Sequence, residues 1–503
     1  MTTTLGLDVG TSGVKAVLLT AAQGVAASAQ APLQVLDGLP VGYSEQHPAD
    51  WLHAIRVSLA SLRDQVPAEF AAIEAVGVSG QQHGLVALDA AEEVLRPAIL
   101  WNDVRCAAEC AEIVASLGGP AGMFEATGLA ALPPGFTAGK VRWLWRHEPH
   151  LFARLARVML PHDFVNHWLT GERFTETGDA SGTGWLDVRS RTIHEGALAA
   201  VAPDLQDKLP WLLAAGSPGG TVRASLAEEL GLSRRVVVAA GGGDNMMAAI
   251  GAGAVRDGVA VLSLGTSGTI FARSGAPVCD PSGEIAPFCD SAGAWLPLGC
   301  TMNATVATEV ARKLFGMPLP DFERAVADAK PGSNGVRCIP FFTGERSPDL
   351  PTASGSWFGL RPGNTSAATL ARAAMEGATF ALARLGDRLG ALGLPLKELR
   401  VTGGGSRSAT WLAVVANSFG LPVATGVHPD AAAVGAAVQA SWTLRRAHGE
   451  SDLTIAAARD VFGLDRELVH TRADDSSIAQ HAELRRDWED LLARLIPHWR
   501  NES

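Results

Sequence analysis

The sequence predicts an α/β fold made of two related lobes. Three observations carry that prediction. One loop occurs twice: residues 7–15 read LDVGTSGVK and residues 262–268 read LSLGTSG. Each copy has apolar residues before it and a β-favouring stretch after it, so each reads as strand–turn–strand. The chain has 503 residues, long for one core and suited to two domains of roughly 250 residues each. Apolar residues make up 47% of it, enough for two cores, and apolar runs recur along its whole length.

A Gly-Thr-Ser-Gly turn offers backbone N–H groups and two hydroxyls, a set that cradles phosphate. The first copy is Gly10, Thr11, Ser12 and Gly13; the second is Gly265, Thr266, Ser267 and Gly268. Asp8 stands where the second copy has Ser263. Two lobes facing one nucleotide, with one metal-handling aspartate, explain the asymmetry. Asp8 either holds Mg²⁺ through water while its turn meets phosphate, or tightens the hairpin. Lys15 follows the first turn by two residues, which is not Walker-A spacing, and no G-x-x-x-x-G-K-[ST] run occurs.

The elements follow in order. The first lobe opens with strands at 5–9 and 14–19. Trp51, Leu52, Ile55, Leu59 and Leu62 lie near helical spacing and predict a helix over 50–64. A strand at 72–78 delivers SGQQHG, and a short one at 98–101 delivers Trp101, Asn102 and Asp103, at the strand ends where α/β sheets bind ligands. A helix begins near Ala138, and another spans 163–170, stopped by Gly171. Residues 172–187, rich in Thr, Ser, Gly and Asp, read as a loop across a cleft. A buried strand at 236–240 runs into three glycines and Asp244, where a helix starts. This stretch, together with the small-residue run 246–253 that follows, is the candidate interlobe hinge. The second lobe begins with strands at 258–264 and 268–273. A long helix follows over 369–390, then a strand ending at 402, a helix carrying Trp411, Val415 and Phe419, and a smooth helix at 431–440. Leu484, Trp488, Leu491, Leu492 and Leu495 predict a C-terminal helix docked on the second lobe. The boundary between lobes is drawn after residue 245, giving 1–245 and 246–503.

The formal charge is −11, from 41 basic and 52 acidic residues, which argues against a nucleic-acid partner. Six cysteines make no disulfide scaffold. Cys106 and Cys110, four apart, lack further metal ligands nearby. No leader segment and no apolar run long enough to span a membrane is evident, so the expectation is a cytoplasmic protein without a membrane partner.

Asp244 is the candidate general base, because it ends a glycine run between the lobes where a closing cleft reaches it. A hydroxyl is a weak nucleophile until a carboxylate takes its proton. The structural alternative is an N-cap for the next helix. Gln82 and His83 offer donors and acceptors for sugar hydroxyls. Trp101 offers a flat wall to the C–H side of a sugar, with Asn102 or Asp103 for hydroxyls. Gly403, Gly404 and Gly405 make a second close-approach loop without G-x-G-x-x-G spacing, suited to adenine and ribose, with Asn417 one helix later as a contact for the base.

Taken in order, these stretches resemble the FGGY family of sugar kinases, within the actin/hexokinase-like ATPases. The motifs are DVGTSG at 8–13, GYSEQHP at 42–48, SGQQHG at 79–84, WND at 101–103, GGGDN at 241–245, LGTSG at 264–268, FTGERSP at 342–348 and GGGSR at 403–407. The resemblance covers roughly residues 4–440. It implies two ribonuclease H-like lobes around a deep interdomain cleft, sugar mainly on the first lobe and ATP mainly on the second. It also implies Asp244 as base, Asp8 (with Asp244) at Mg²⁺, Gln82, His83 and Asn245 at a ketose, and Gly265, Thr266, Gly403 and Gly404 at the nucleotide. The implied reaction is ATP-dependent phosphorylation of D-xylulose at its 5-hydroxyl. Family members are often dimers, so a homodimer is expected. The alternatives are a kinase for another ketose or polyol, such as ribulose or xylitol, and an actin-like nucleotide-binding structural or sensor protein.

Overall fold

The fold, taken from a computed structural model, is described for residues 2–500. Two seven-stranded sheets repeat one pairing order. In the first, Gly24–Pro32, Gly13–Thr20 and Thr3–Val9 form an antiparallel meander, and Thr3–Val9 then pairs in parallel with Ile73–Gly80. In the second, Trp295–Thr301, Gly268–Ala272 and Val259–Leu264 form the meander, and Val259–Leu264 pairs in parallel with Glu398–Thr402. The duplicated loop is therefore the first hairpin turn of each sheet, as its flanking residues predict.

Helix Pro48–Gln65 covers the first sheet, burying Trp51, Ile55, Leu59 and Leu62 against Leu5, Leu7 and Val9. Helix Pro161–Thr170 ends at Gly171, whose φ of 85° supplies the left-handed cap. In the second lobe, helix Ala367–Ala391 starts at Ser366, whose hydroxyl accepts from the Thr369 N–H, and is buried along most of its length. Helix Asp475–Arg500 buries Trp488, Leu491 and Leu492 beside Phe341 and Phe380, the docked tail that its spacing predicts.

The smooth helix, Ala431–Ala447, comes late in the chain yet lies on the first sheet. A Cβ on Gly6 would stand 1.8 Å from the Ala433 carbonyl oxygen, and one on Gly77 would stand 2.1 Å from that of Ala436. Its other side meets helix Asp244–Ala252, where a Cβ on Gly435 would stand 1.8 Å from the Met247 oxygen and one on Gly251 1.9 Å from the Ala431 oxygen. Backbone packs on backbone here, so the small residues at 246–253 serve close helix contact.

Two expectations change. Strand 98–101 is only Ala98–Ile99, and it pairs with Glu45–Gln46 in a two-stranded ribbon apart from the main sheet. Residues 172–187 are not an open loop. Phe174–Thr175 pairs with Trp211–Leu212, and Thr177–Ala180 is a short helix capped by Glu176, whose carboxylate accepts from Gly178 and Asp179 N–H groups. The polar side chains of this stretch satisfy its own buried backbone, which composition alone does not reveal.

Candidate active site

Register brings the two key carboxylates to the same end of the first sheet. Asp8 pairs with Ser79, and the Ser79 hydroxyl donates to Asp8 Oδ1 at 2.7 Å. Ser79 pairs on its other side with Gly242, two residues before Asp244. The glycine run is what lets the chain turn there. Gly241 has φ of 74°, and Gln439 grips it, accepting from its N–H at 2.8 Å and donating to its carbonyl at 2.9 Å. Helix Asp244–Ala252 then starts with Gly243 as N-cap, so the capping alternative for Asp244 does not hold. Asp244 Oδ1 instead accepts from the Asn245 backbone N–H at 2.8 Å and from its side-chain N–H at 3.2 Å.

Electrostatics separates these acids from ordinary surface carboxylates. Burial, and then the charges of Asp8 and Asp179, push the Asp244 carboxyl up to about 7. Burial also raises Asp8, opposed by the Ser79 hydrogen bond and by Lys15. A carboxylate poised near neutrality can take a proton at physiological pH and release it again. Lys15, facing Asp8 across the hairpin, makes an ion pair with Asp430 at 3.0 Å. Asp430 itself adds to the charge that raises Asp8, a neighbour 422 residues away that no local pattern signals.

The Gly10–Gly13 turn is closed by a Gly10 N–H to Gly13 carbonyl bond at 3.1 Å, leaving Ser12 exposed. Thr11 is tied into a polar chain. Its hydroxyl donates to Gln81 at 3.0 Å and accepts from the Trp101 indole at 3.0 Å, while its carbonyl accepts from Gln46 at 2.6 Å. Trp101, 48% exposed, thus stands beside the first phosphate-type turn despite its ribbon origin. Asn102 is exposed. Asp103 is fully buried, bonded to the Ser44 N–H and to both the backbone and guanidinium of Arg105. Its place is to hold Arg105, which stacks 3.8 Å from the Tyr43 ring centroid.

In the second lobe, Ser263 and Thr402 are register partners, so the turns that follow them lie side by side. A Cβ on Gly403 would stand 2.7 Å from the Leu264 oxygen and 3.1 Å from the Gly265 nitrogen. Gly265, Thr266, Ser267, Gly403 and Gly404 therefore form one surface, with Thr266, Gly403 and Gly404 exposed and Gly405 buried under it. Asn417 is half-buried on the last turn of helix Ala409–Phe419, roughly 12 Å along the axis from its start at 1.5 Å per residue. The structure does not bring it to the turn.

Gln82 and Asn245 meet directly, with Asn245 Nδ2 donating to Gln82 Oε1 at 2.6 Å. His83 lies beside them with φ of 61°, its ring 4.8 Å from Phe136 and stacked 5.5 Å from Phe288 of the second lobe. Behind it stand groups that sequence reasoning did not assign: Lys140, Asp179 and His162, all fully buried.

A model of the FGGY family of carbohydrate kinases, N-terminal domain, matches residues 3–251, and the C-terminal domain model of the same family matches residues 260–444. The chain is 37% identical to a xylulose kinase of Haemophilus influenzae over 455 residues, 89% of this chain and 91% of the relative. It is 41% identical to a xylulose kinase of Streptomyces coelicolor over 448 residues, 88% of each. The crystal structure of a xylulose kinase from Rhodospirillum rubrum superposes with a TM-score of 0.90 at 28% identity, covering 99% of this chain and 100% of that one. The chain belongs to the FGGY family of carbohydrate kinases, with its two-lobed actin/hexokinase-like fold, and the phosphate donor of that family is ATP.

Proposed function

We infer that this FGGY kinase transfers the γ-phosphoryl group of ATP to the 5-hydroxyl of D-xylulose, giving D-xylulose 5-phosphate and ADP. The observation that carries the reading is that Asp8 and Asp244 stand at the same end of one sheet, where Ser79 pairs with Asp8 on one side and with Gly242, two residues before Asp244, on the other, beside a Gly-Thr-Ser-Gly turn. The xylulose kinases similar to it over most of its length support the choice of sugar.

Asp244 takes the proton of the attacking hydroxyl. Its Oδ1 is held by Asn245, so the proton is assigned to Oδ2. A side-chain acid near neutrality accepts the proton as the O–P bond forms and returns it to water after release. Gln82, His83 and Asn245 orient the ketose, with Trp101 as a wall and Asn102 at the margin, while Asp103 stays behind them on Arg105. The turns at Gly10–Gly13 and Gly265–Ser267 receive the phosphates, with Lys15 near the first, and Gly403, Gly404 and Gly405 belong to the nucleotide side. Closing the lobes, here divided after residue 245, excludes water that competes for the phosphoryl group.

The donor set fits Mg²⁺. Asp8 and Asp244 are hard oxygen donors, the charge of Asp8 raises the proton affinity of Asp244, and among the described residues no cluster of three or more His, Cys, Asp or Glu forms a closed metal cage. Mg²⁺ commonly uses one or two carboxylates and completes its shell with phosphates and water. Bound there, Mg²⁺ would offset the charge of the phosphate oxygens.

The same reading has a cytoplasmic homodimer without nucleic-acid or membrane partners. All six cysteines are free thiols, which suits a reducing compartment, and the net charge is −11. Among the described residues no helix is long and apolar enough to cross a membrane.

The test is ADP release with Mg²⁺ over D-xylulose, D-ribulose, L-ribulose, xylitol, glycerol and gluconate. D-xylulose should give the highest kcat/KM. A higher value for another sugar overturns the named substrate and leaves the kinase.

A further inference from the structure

His83 is held by both of its backbone polar groups. Its backbone N–H donates to Asp179 Oδ1 at 3.2 Å, and its carbonyl accepts from Thr137 Oγ1 at 3.2 Å and Lys140 Nζ at 2.6 Å. Its Nδ1 lies 3.2 Å from the same Asp179 oxygen, an ion-pair distance without a formed hydrogen bond. Phe136 and Phe288 flank the ring, and Gly182 closes the remaining side, where a Cβ would stand 1.8 Å from Cε1. Only Nε2 is left to face outward, on a side chain 10% exposed. Left-handed backbone at a bulky residue costs energy and persists only where surroundings fix it.

Asp179 is fixed in turn. Its Oδ2 lies 2.9 Å from His162 Nδ1, and His162 Nε2 lies 3.0 Å from Asp163, all of them buried. A buried carboxylate keeps its charge only beside such a partner.

We propose that Asp179 is a positioning residue for sugar recognition, acting through His83. By taking the backbone N–H and the Nδ1 side of His83, it sets the ring so that Nε2 accepts a hydrogen bond from a hydroxyl of the ketose. The lysine at the carbonyl completes the clamp. This rests on the reading that His83 contacts the sugar, and the experiment separates the two.

KM for D-xylulose and for ATP, and kcat, are measured for His83→Ala, Asp179→Asn, Gly182→Ala and the doubles His83→Ala/Asp179→Asn and His83→Ala/Gly182→Ala. Asp179→Asn and Gly182→Ala should each raise the sugar KM about tenfold, with ATP KM unchanged and kcat altered far less. Each double should match His83→Ala alone, because the effect passes through the missing ring. Gly182→Ala moves the ring without touching a buried charge, so it decides the matter should Asp179→Asn fail to fold. If His83→Ala leaves the sugar KM unchanged, the underlying contact is wrong. If His83→Ala raises it but a folded Asp179→Asn or Gly182→Ala does not, or the effects multiply in the doubles, the positioning role is overturned.

Discussion

Asp8 and Asp244 stand at the same end of one sheet, where Ser79 pairs with Asp8 and with Gly242, and the charge of Asp8, second only to burial, holds the Asp244 carboxyl up to about 7. The Asp244 value in the fold stands above its ordinary 3.8, so the native state binds that proton more tightly than the unfolded chain does. The stability this contributes is present below the ordinary value and is lost as pH rises through about 7. Without metal or nucleotide, the Tm of Asp244→Asn should therefore gain on that of the native protein between about pH 4 and 8. In an Asp8→Asn background the gain should come at lower pH. A pH profile indifferent to Asp8 contradicts that placement.

Asp8→Asn should raise the Mg²⁺ concentration for half-maximal activity several-fold and leave the sugar KM near its native value. An unchanged Mg²⁺ titration removes Asp8 from the metal site.

Gln82→Ala strips Asn245 of its 2.6 Å partner beside Asp244, the proposed base. The sugar KM should rise by about tenfold to a hundredfold, because a site built to pair hydroxyls loses much when one pair is broken. The ATP KM should not move. Equal rises in both would point to a general loosening of the cleft.

Gly77→Val places a Cβ 2.1 Å from the Ala436 carbonyl oxygen, a backbone atom with no room to retreat. It should cost roughly 3 kcal/mol or more and give mostly insoluble protein, read by soluble yield and Tm. Normal yield and Tm would mean that helix Ala431–Ala447 can stand off the first sheet.

Much of this was legible in the chain. The duplicated turn, the helix at Trp51 to Leu62 and the glycine run before Asp244 are local patterns, and local backbone chemistry reproduces them. The small residues at 246–253 and 431–440 announced close packing, though not that the later helix would lie on the first sheet. Gln439 on Gly241, Asp430 on Lys15 and Asp179 on His83 were hidden because each pair is distant in sequence and each contact depends on the assembled lobes. Residues 172–187 misled for a different reason: Glu176 and its neighbours are polar in order to satisfy buried backbone, and composition reads the same for an exposed loop.

The most direct test of the account is turnover by Asp244→Asn with saturating D-xylulose, ATP and Mg²⁺. An amide cannot take the hydroxyl proton, so kcat should fall by about a hundredfold or more, while both KM values stay close to native. Turnover at the native rate would contradict Asp244 as the base.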